Sequence, residues 1–185
     1  HFPFLVHFPE DSVSCGADVV IHSLHKTLPT LTQTALIHLN GSLADREKIR
    51  KYLTVYQSSS PSYVLMASLD QCVEWLFSHQ EAFEGFYEEL TRCRQNLKSM
   101  KVLTLLEVPG MDESKILISV KDTDISGQEL DRILREEYHI ELEMACSSYV
   151  CAITTVADTR ESLERLTKAF LEIDGSLQKR DTSVC

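Results

Sequence analysis

A chain of 185 residues, 43% hydrophobic and 25% charged, has the make-up of an ordinary soluble globular protein, long enough to bury a core and to hold one or two domains. Its net charge of -10 argues against a nucleic-acid partner, and no apolar run approaches the roughly 18–20 residues of a membrane span, so neither nucleic acid nor membrane is expected. The six cysteines (Cys15, Cys72, Cys93, Cys146, Cys151 and Cys185) include no C-x-x-C pair, which argues against a zinc site, and the chain is too long and core-rich to need a disulfide framework, so reduced thiols in a cytoplasmic setting are the simpler reading; no signal peptide is visible.

Residues 1–14 are rich in proline and phenylalanine without periodicity and read as an irregular loop that contains His1 and His7. Ala17-Asp18-Val19-Val20-Ile21 is a β-branched run, expected to form a buried strand over 17–22. Ser23-Leu24-His25-Lys26-Thr27-Leu28-Pro29 comes next, so a polar cluster falls at the strand's exit. In open α/β sheets, ligands bind in the crevice beyond the carboxyl ends of strands. A partly desolvated lysine amine at such a place can attack a carbonyl, and neighbouring hydroxyls and an imidazole suit an anion such as phosphate. The cluster therefore suits an amine that forms a Schiff base with a phosphate-bearing aldehyde. In a motif this short, a solvated loop lysine is the competing reading.

Thr30 to Thr34 reads as a turn, and Thr34 to Leu39 as a second strand closed by Asn40-Gly41. So early a return suggests a hairpin-like antiparallel edge on an otherwise parallel sheet. Ser42-x-x-Asp45 is expected to open an amphipathic helix to about Tyr52, with Ser42 as its cap. Ser60 as N-cap and Pro61 at the first helical position are expected to begin another. Its apolar positions, from Tyr63 through Leu69, Cys72 and Leu76, continue the pattern to about Met100, with Gly85 as a bend or break. The run Ser58-Ser59-Ser60 is either a flexible capping loop or a source of hydroxyls for a phosphate.

Beyond residue 100 the character changes. Val102 to Val108 and Lys115 to Val120 read as strands, and Ser126-x-x-Glu129 as a capping box for a helix through about Tyr138. Ile140 to Met144 and Tyr149 to Val156 read as strands joined by a short turn at Cys146-Ser147-Ser148. Asp158-x-x-Glu161 is a second capping box, its helix running to about Ile173. Strand, helix, two strands and helix describe a small α/β sandwich. By alternation Glu141 and Glu143 share one face, opposite Leu142; they are either solvated or available to a cationic ligand.

Three stretches, in order, resemble the bacterial ornithine/lysine/arginine decarboxylases. Gly16 to Val20, Ser23 to Pro29 and Leu31-Thr32-Gln33-Thr34-Ala35 resemble that family's cofactor-lysine segment. Gln57 to Tyr63 with Met66-Ala67-Ser68-Leu69-Asp70 resembles the helix after it, and Ile140 to Val150 with Thr155 to Asp158 resembles its small-domain hairpin. The resemblance implies an α/β fold: the carboxy-terminal part of a large domain like that of the pyridoxal-phosphate (PLP)-dependent transferases, aspartate-aminotransferase-like, over 1–100, then a small α/β sandwich domain over 101–178 and a frayed tail over 179–185. It implies PLP as cofactor, Lys26 as the Schiff-base lysine, and Ser23 and His25 as phosphate or ring contacts. His1 enters the cofactor site through its place in the family motif, and Ser58, Ser59 and Ser60 reach the phosphate of a neighbouring subunit. Glu143 corresponds to the glutamate near the distal charge of a basic amino-acid substrate. The implied activity is decarboxylation of ornithine, lysine or arginine to a polyamine precursor, by a homodimer or higher homo-oligomer. Family members are several times longer, so the chain reads as a carboxy-terminal piece, with the aspartate that pairs with the pyridine nitrogen expected just upstream of His1. Two alternatives stay open: a catalytically silent piece that acts through dimerisation, and a transaminase or β-lyase on the same fold.

Overall fold

The computed structural model describes residues 8–179, which form two compact units divided between Phe83 and Glu84. His1 and His7 lie outside the described residues, as does the expected tail beyond Lys179. In the first unit, β1 (Val19–Ser23) runs straight into a single helical turn, α1 (Leu24–Thr27). The chain then returns as β2 (Ala35–Leu39), antiparallel to β1, with Val19 opposite Leu39 and Ser23 opposite Ala35. The expected antiparallel return is present, but among the described residues the two strands form a two-stranded sheet without the expected parallel neighbours, and β1, expected to be buried, leaves Val19 and Ile21 exposed. Just past β2, Gly41 takes a φ of +63°, where a Cβ would collide with the Asp18 carboxylate. That carboxylate accepts the Leu43 amide at 3.1 Å, so only glycine fits this corner.

Several helix boundaries differ from expectation. Asp45, not Ser42, caps α2 (Arg46–Tyr56), accepting the Lys48 amide at 3.0 Å. Ser62, not Ser60, caps α3 (Tyr63–Ser78), accepting the Leu65 amide at 3.4 Å, so Pro61 stands before the cap rather than inside the helix. The long helical pattern breaks at His79, and Gly85 lies within α4 (Gln80–Leu97). The break is locally held: the Ser78 hydroxyl donates back to the Glu74 carbonyl at 2.9 Å, and the His79 ring stacks on Trp75 with centroids 5.0 Å apart. A lone glycine costs a helix about 1 kcal/mol and is tolerated.

The second unit is a four-stranded antiparallel sheet in the order β3-β4-β6-β5. Its elements are β3 (Thr104–Leu105), β4 (Lys115–Ser119), α5 (Gly127–Tyr138), β5 (Met144–Ala145), β6 (Tyr149–Ile153) and α6 (Arg160–Ser176). Ile116 and Ile118 of β4 and Val150 and Ala152 of β6 alternate onto one buried face. Leu130 and Leu134 of α5, Leu166 and Phe170 of α6, and Leu90 and Leu97 of α4 complete the apolar core. Ser126 caps α5 as expected, accepting the Glu129 amide at 3.2 Å. Thr159 rather than Asp158 caps α6, because the Asp158 side chain is occupied by the Thr155 amide at 2.7 Å.

β6 stops at Ile153, short of the expected Val156, and β3 and β5 are shorter than expected for a common reason: backbone amides of the expected strands have other partners. Lys101, Val102 and Leu103 donate to the carboxylate of Asp174, at 2.8, 2.8 and 2.7 Å. The Ile140 amide closes the end of α5 on the Leu134 carbonyl at 3.0 Å, so pairing with β6 begins only at Glu143, whose amide reaches the Cys151 carbonyl at 3.0 Å.

Candidate active site

Lys26 sits on α1 and is exposed among the described residues, not partly desolvated as its place at a strand's exit led one to expect. The turn that carries it is short, and residues 30–34 set its shape. The carbonyl of Thr34, the residue before β2, accepts the Leu24 amide at 3.2 Å and lies 2.9 Å from His25 Nδ1. Thr34 is buried, 2% exposed. Its hydroxyl donates to the Leu31 carbonyl at 2.9 Å and pairs with the Thr30 hydroxyl at 2.7 Å. The Leu31 amide in turn reaches the Ser68 hydroxyl of α3 at 2.9 Å. The segment after the lysine is thus tied both to the strand that returns beside β1 and to α3.

Ser23 closes β1 and occupies the N-cap position of α1, yet its side chain makes no capping bond. A hydroxyl, an imidazole and a primary amine therefore share one turn at the end of a strand. Ser58, Ser59 and Ser60 are exposed, and the hydrogen bonds of Ser58 and Ser60 run between those two residues, at 3.2 Å. Within the ribbon, the rings of His22 and His38 meet edge to face with centroids 4.6 Å apart. Burial pushes the His22 imidazole down in basicity, and His38 beside it adds to the effect.

Glu143 belongs to the second unit. It is exposed, as is Glu141, while Ile140 and Leu142 are less so, and the expected alternation holds although the segment lies before β5 rather than in it. Burial raises the Cys151 thiol, and the charge of Glu143 adds to the rise while Lys115 opposes it. Among the described residues, no group of three or more His, Cys, Asp or Glu side chains could hold a metal ion, and no helix is long and apolar enough to cross a membrane. The role of Thr34 was not visible in the sequence. The position acts through its backbone oxygen, and its only signal was membership of the Leu31 to Ala35 stretch.

Comparison with known proteins agrees with the motifs. The chain is 26% identical to an arginine decarboxylase of Bacillus subtilis over 99% of its own length, and it spans 39% of that relative. Its fold is shared with the constitutive lysine decarboxylase of E. coli, at a TM-score of 0.66 and 17% identity over 85% of this chain and 28% of that one. It is shared also with an alanine–glyoxylate aminotransferase of Nostoc, at a TM-score of 0.60 and 14% identity over 87% of this chain and 49% of that one. The α/β fold class read from the sequence is therefore the one present. The family model described as "Orn/Lys/Arg decarboxylase, major domain" matches residues 1–103, more than half of the chain and all of the lysine-bearing ribbon, and the chain belongs to the Orn/Lys/Arg decarboxylase family.

Proposed function

We propose that this chain carries the cofactor-lysine part of a PLP-dependent decarboxylase acting on ornithine, lysine or arginine. One observation carries the reading: at the end of β1, an exposed Lys26 shares a turn with Ser23, whose hydroxyl makes no capping bond, and with His25, whose ring is anchored on Thr34. That donor set fits PLP. Lys26 offers a primary amine and Ser23 a hydroxyl, and His25 offers its second ring nitrogen, as a lone pair when neutral and as a donor to an anion when protonated. When bound, PLP supplies an aldehyde that takes up amines and a conjugated ring that receives the electrons left as carbon dioxide departs. The chain's own tasks are then to hold and to orient. Ser23 Oγ and His25 Nε2 contact the phosphate or the ring, and Ser58, Ser59 and Ser60 reach the phosphate from a neighbouring subunit. The Glu143 carboxylate receives the distal positive charge of the substrate, and Lys26 Nζ holds and later returns a proton. His1 belongs to the same reading.

In this reading, residues 1–100 end the large domain and 101–178 form the small one, the chain works in the cytoplasm, and it assembles as a homodimer or higher homo-oligomer. Exposed apolar side chains along α3 (Tyr63, Val64, Met66, Val73 and Phe77) support the oligomer, since large exposed apolar patches mark interaction surfaces. The same side chains favour the second reading, a piece that acts only by pairing with a full-length relative.

The test is covalent. The purified chain is incubated with PLP, reduced with borohydride and mapped by peptide mass. Label at Lys26 is expected; label confined to other lysines removes the assignment. Release of carbon dioxide from the three basic amino acids, assayed with the protein at the length its gene encodes, then tests the reaction. Transamination or β-elimination without it selects the other chemistry on this fold.

A further inference from the structure

We propose that the backbone carbonyl of Thr34 holds His25 as the Nδ1–H tautomer, so that the ring meets any ligand at Lys26 through the lone pair of Nε2. Thr34 is on this account a positioning residue. The inference rests on the proposed cofactor site only in naming what Nε2 would meet.

The geometry is direct. His25 Nδ1 lies 2.9 Å from the Thr34 oxygen. A carbonyl has no hydrogen to give, so Nδ1 must donate. A neutral imidazole carries one N–H, and the bond made by one ring nitrogen decides the state of the other. The anchor is rigid. The same oxygen also accepts the Leu24 amide at 3.2 Å, which uses both of its lone pairs. Thr34 is 2% exposed, and its hydroxyl is bonded to Leu31 and Thr30. Its own amide reaches the Leu31 carbonyl at 3.3 Å, and the next residue, Ala35, is in register with Ser23. The ladder between β1 and β2 therefore leads straight into the clamp.

The clamp restricts what the ring can offer a ligand. With Nδ1–H engaged, neutral His25 has nothing to donate from Nε2. It can accept there, from an ammonium or from a protonated phosphate oxygen. It can donate to a phosphate dianion only as an imidazolium, so binding of the dianion through this nitrogen brings a proton with it. A histidine side chain free in water favours the opposite tautomer, so the clamped state is distinguishable from an unconstrained one.

The experiment is two-dimensional NMR of the chain with ¹⁵N-labelled histidine, at a pH above the ordinary histidine range, with the His25 signals assigned by their loss in His25→Gln. Expected are a pyrrole-type resonance at Nδ1 and an imine-type resonance at Nε2. An Nε2–H tautomer, or a fast average of the two, overturns the proposal. Thr34→Val keeps the carbonyl but removes the hydroxyl bonds that hold it. The tautomer ratio should fall by about fivefold, the factor set by a net hydrogen-bond contribution of about 1 kcal/mol, and Thr34→Ser should restore it. An unchanged ratio in Thr34→Val overturns the positioning role. Should Thr34→Val fail to fold, the wild-type spectrum still decides the tautomer, and Thr34→Ala, which also lacks the hydroxyl, takes its place, an unchanged ratio there overturning the positioning role. PLP and inorganic phosphate are then added separately. If the clamp is present but neither probe moves Nε2, the assignment of His25 to the cofactor site fails while the clamp stands. If borohydride labels Lys26 but the tautomer is wrong, the clamp fails while the cofactor site stands.

Discussion

Asp174 is the carboxylate on which the second unit leans most. It is 6% exposed and accepts the amides of Lys101, Val102 and Leu103. Each buried donor left without a partner costs about 1–3 kcal/mol. Asp174→Ala is therefore expected to lower the unfolding free energy by roughly 3 kcal/mol or more, read from urea denaturation, with Asp174→Asn losing less because it keeps one acceptor. Asp112 shows how a partly buried carboxyl is tuned. Burial pushes it up, but the Ser114 hydroxyl at 2.7 Å and the Lys115 ammonium at 3.1 Å outweigh that and hold it below the usual aspartate range. A carboxyl depressed in the folded state stabilises the fold above its unfolded pKa of about 4. The contribution is lost as pH falls through the lower folded value. Thermal melts of the wild type and Asp112→Asn should therefore differ at neutral pH and converge in acid.

At the scale of elements, α5 is pressed against the turn between β5 and β6. A Cβ on Gly127 would lie 2.6 Å from the Tyr149 carbonyl oxygen and would collide with that of Cys146. Both are backbone atoms and cannot swing aside, so Gly127→Ala should destabilise the unit by about 2–3 kcal/mol in chemical denaturation. Gly175→Ala is the control. It lies in α6 with nothing near its missing Cβ, and alanine there should be neutral or stabilising by up to about 1 kcal/mol.

What the sequence disclosed was local. A β-branched run marked β1, the Asn40-Gly41 turn marked the end of β2, alternation marked β4, and the Ser126–Glu129 spacing marked the start of α5. Where several capping residues stand close together, as at Ser60 and Ser62 or Asp158 and Thr159, spacing alone could not choose, because the choice depends on which side chain is already engaged. The shortness of β3 was hidden for a stronger reason: its neighbours' amides belong to Asp174, far along the chain. In the candidate site, Ser23, His25 and Lys26 could be read as a motif. The single turn of α1 is too short for a period to show, and a backbone oxygen such as that of Thr34 leaves no side-chain signature.

Over the whole molecule, the two units differ in how much apolar surface each buries. From Phe86 to Ile173 the second unit has a full complement of buried aliphatic and aromatic side chains, whereas in the first Cys72 and Phe83 are the fully buried apolar residues among those described. Residues 84–179 expressed alone are expected to melt as one cooperative transition by circular dichroism. Residues 8–83 alone are expected to bind a hydrophobic dye and to show none.

The ribbon near Lys26 has its own consequence. Val19, Ile21 and Ile37 stand together on one bare side, with Ile21 72% exposed, and each strand has one neighbour among the described residues. Two unzipped flanks beside a greasy plane are what separate molecules use to stack into fibres. Warming a concentrated sample would then end in clumping seeded at Val19 to Ser23, and irreversibility in a calorimeter would report on those five residues before the sandwich had begun to loosen.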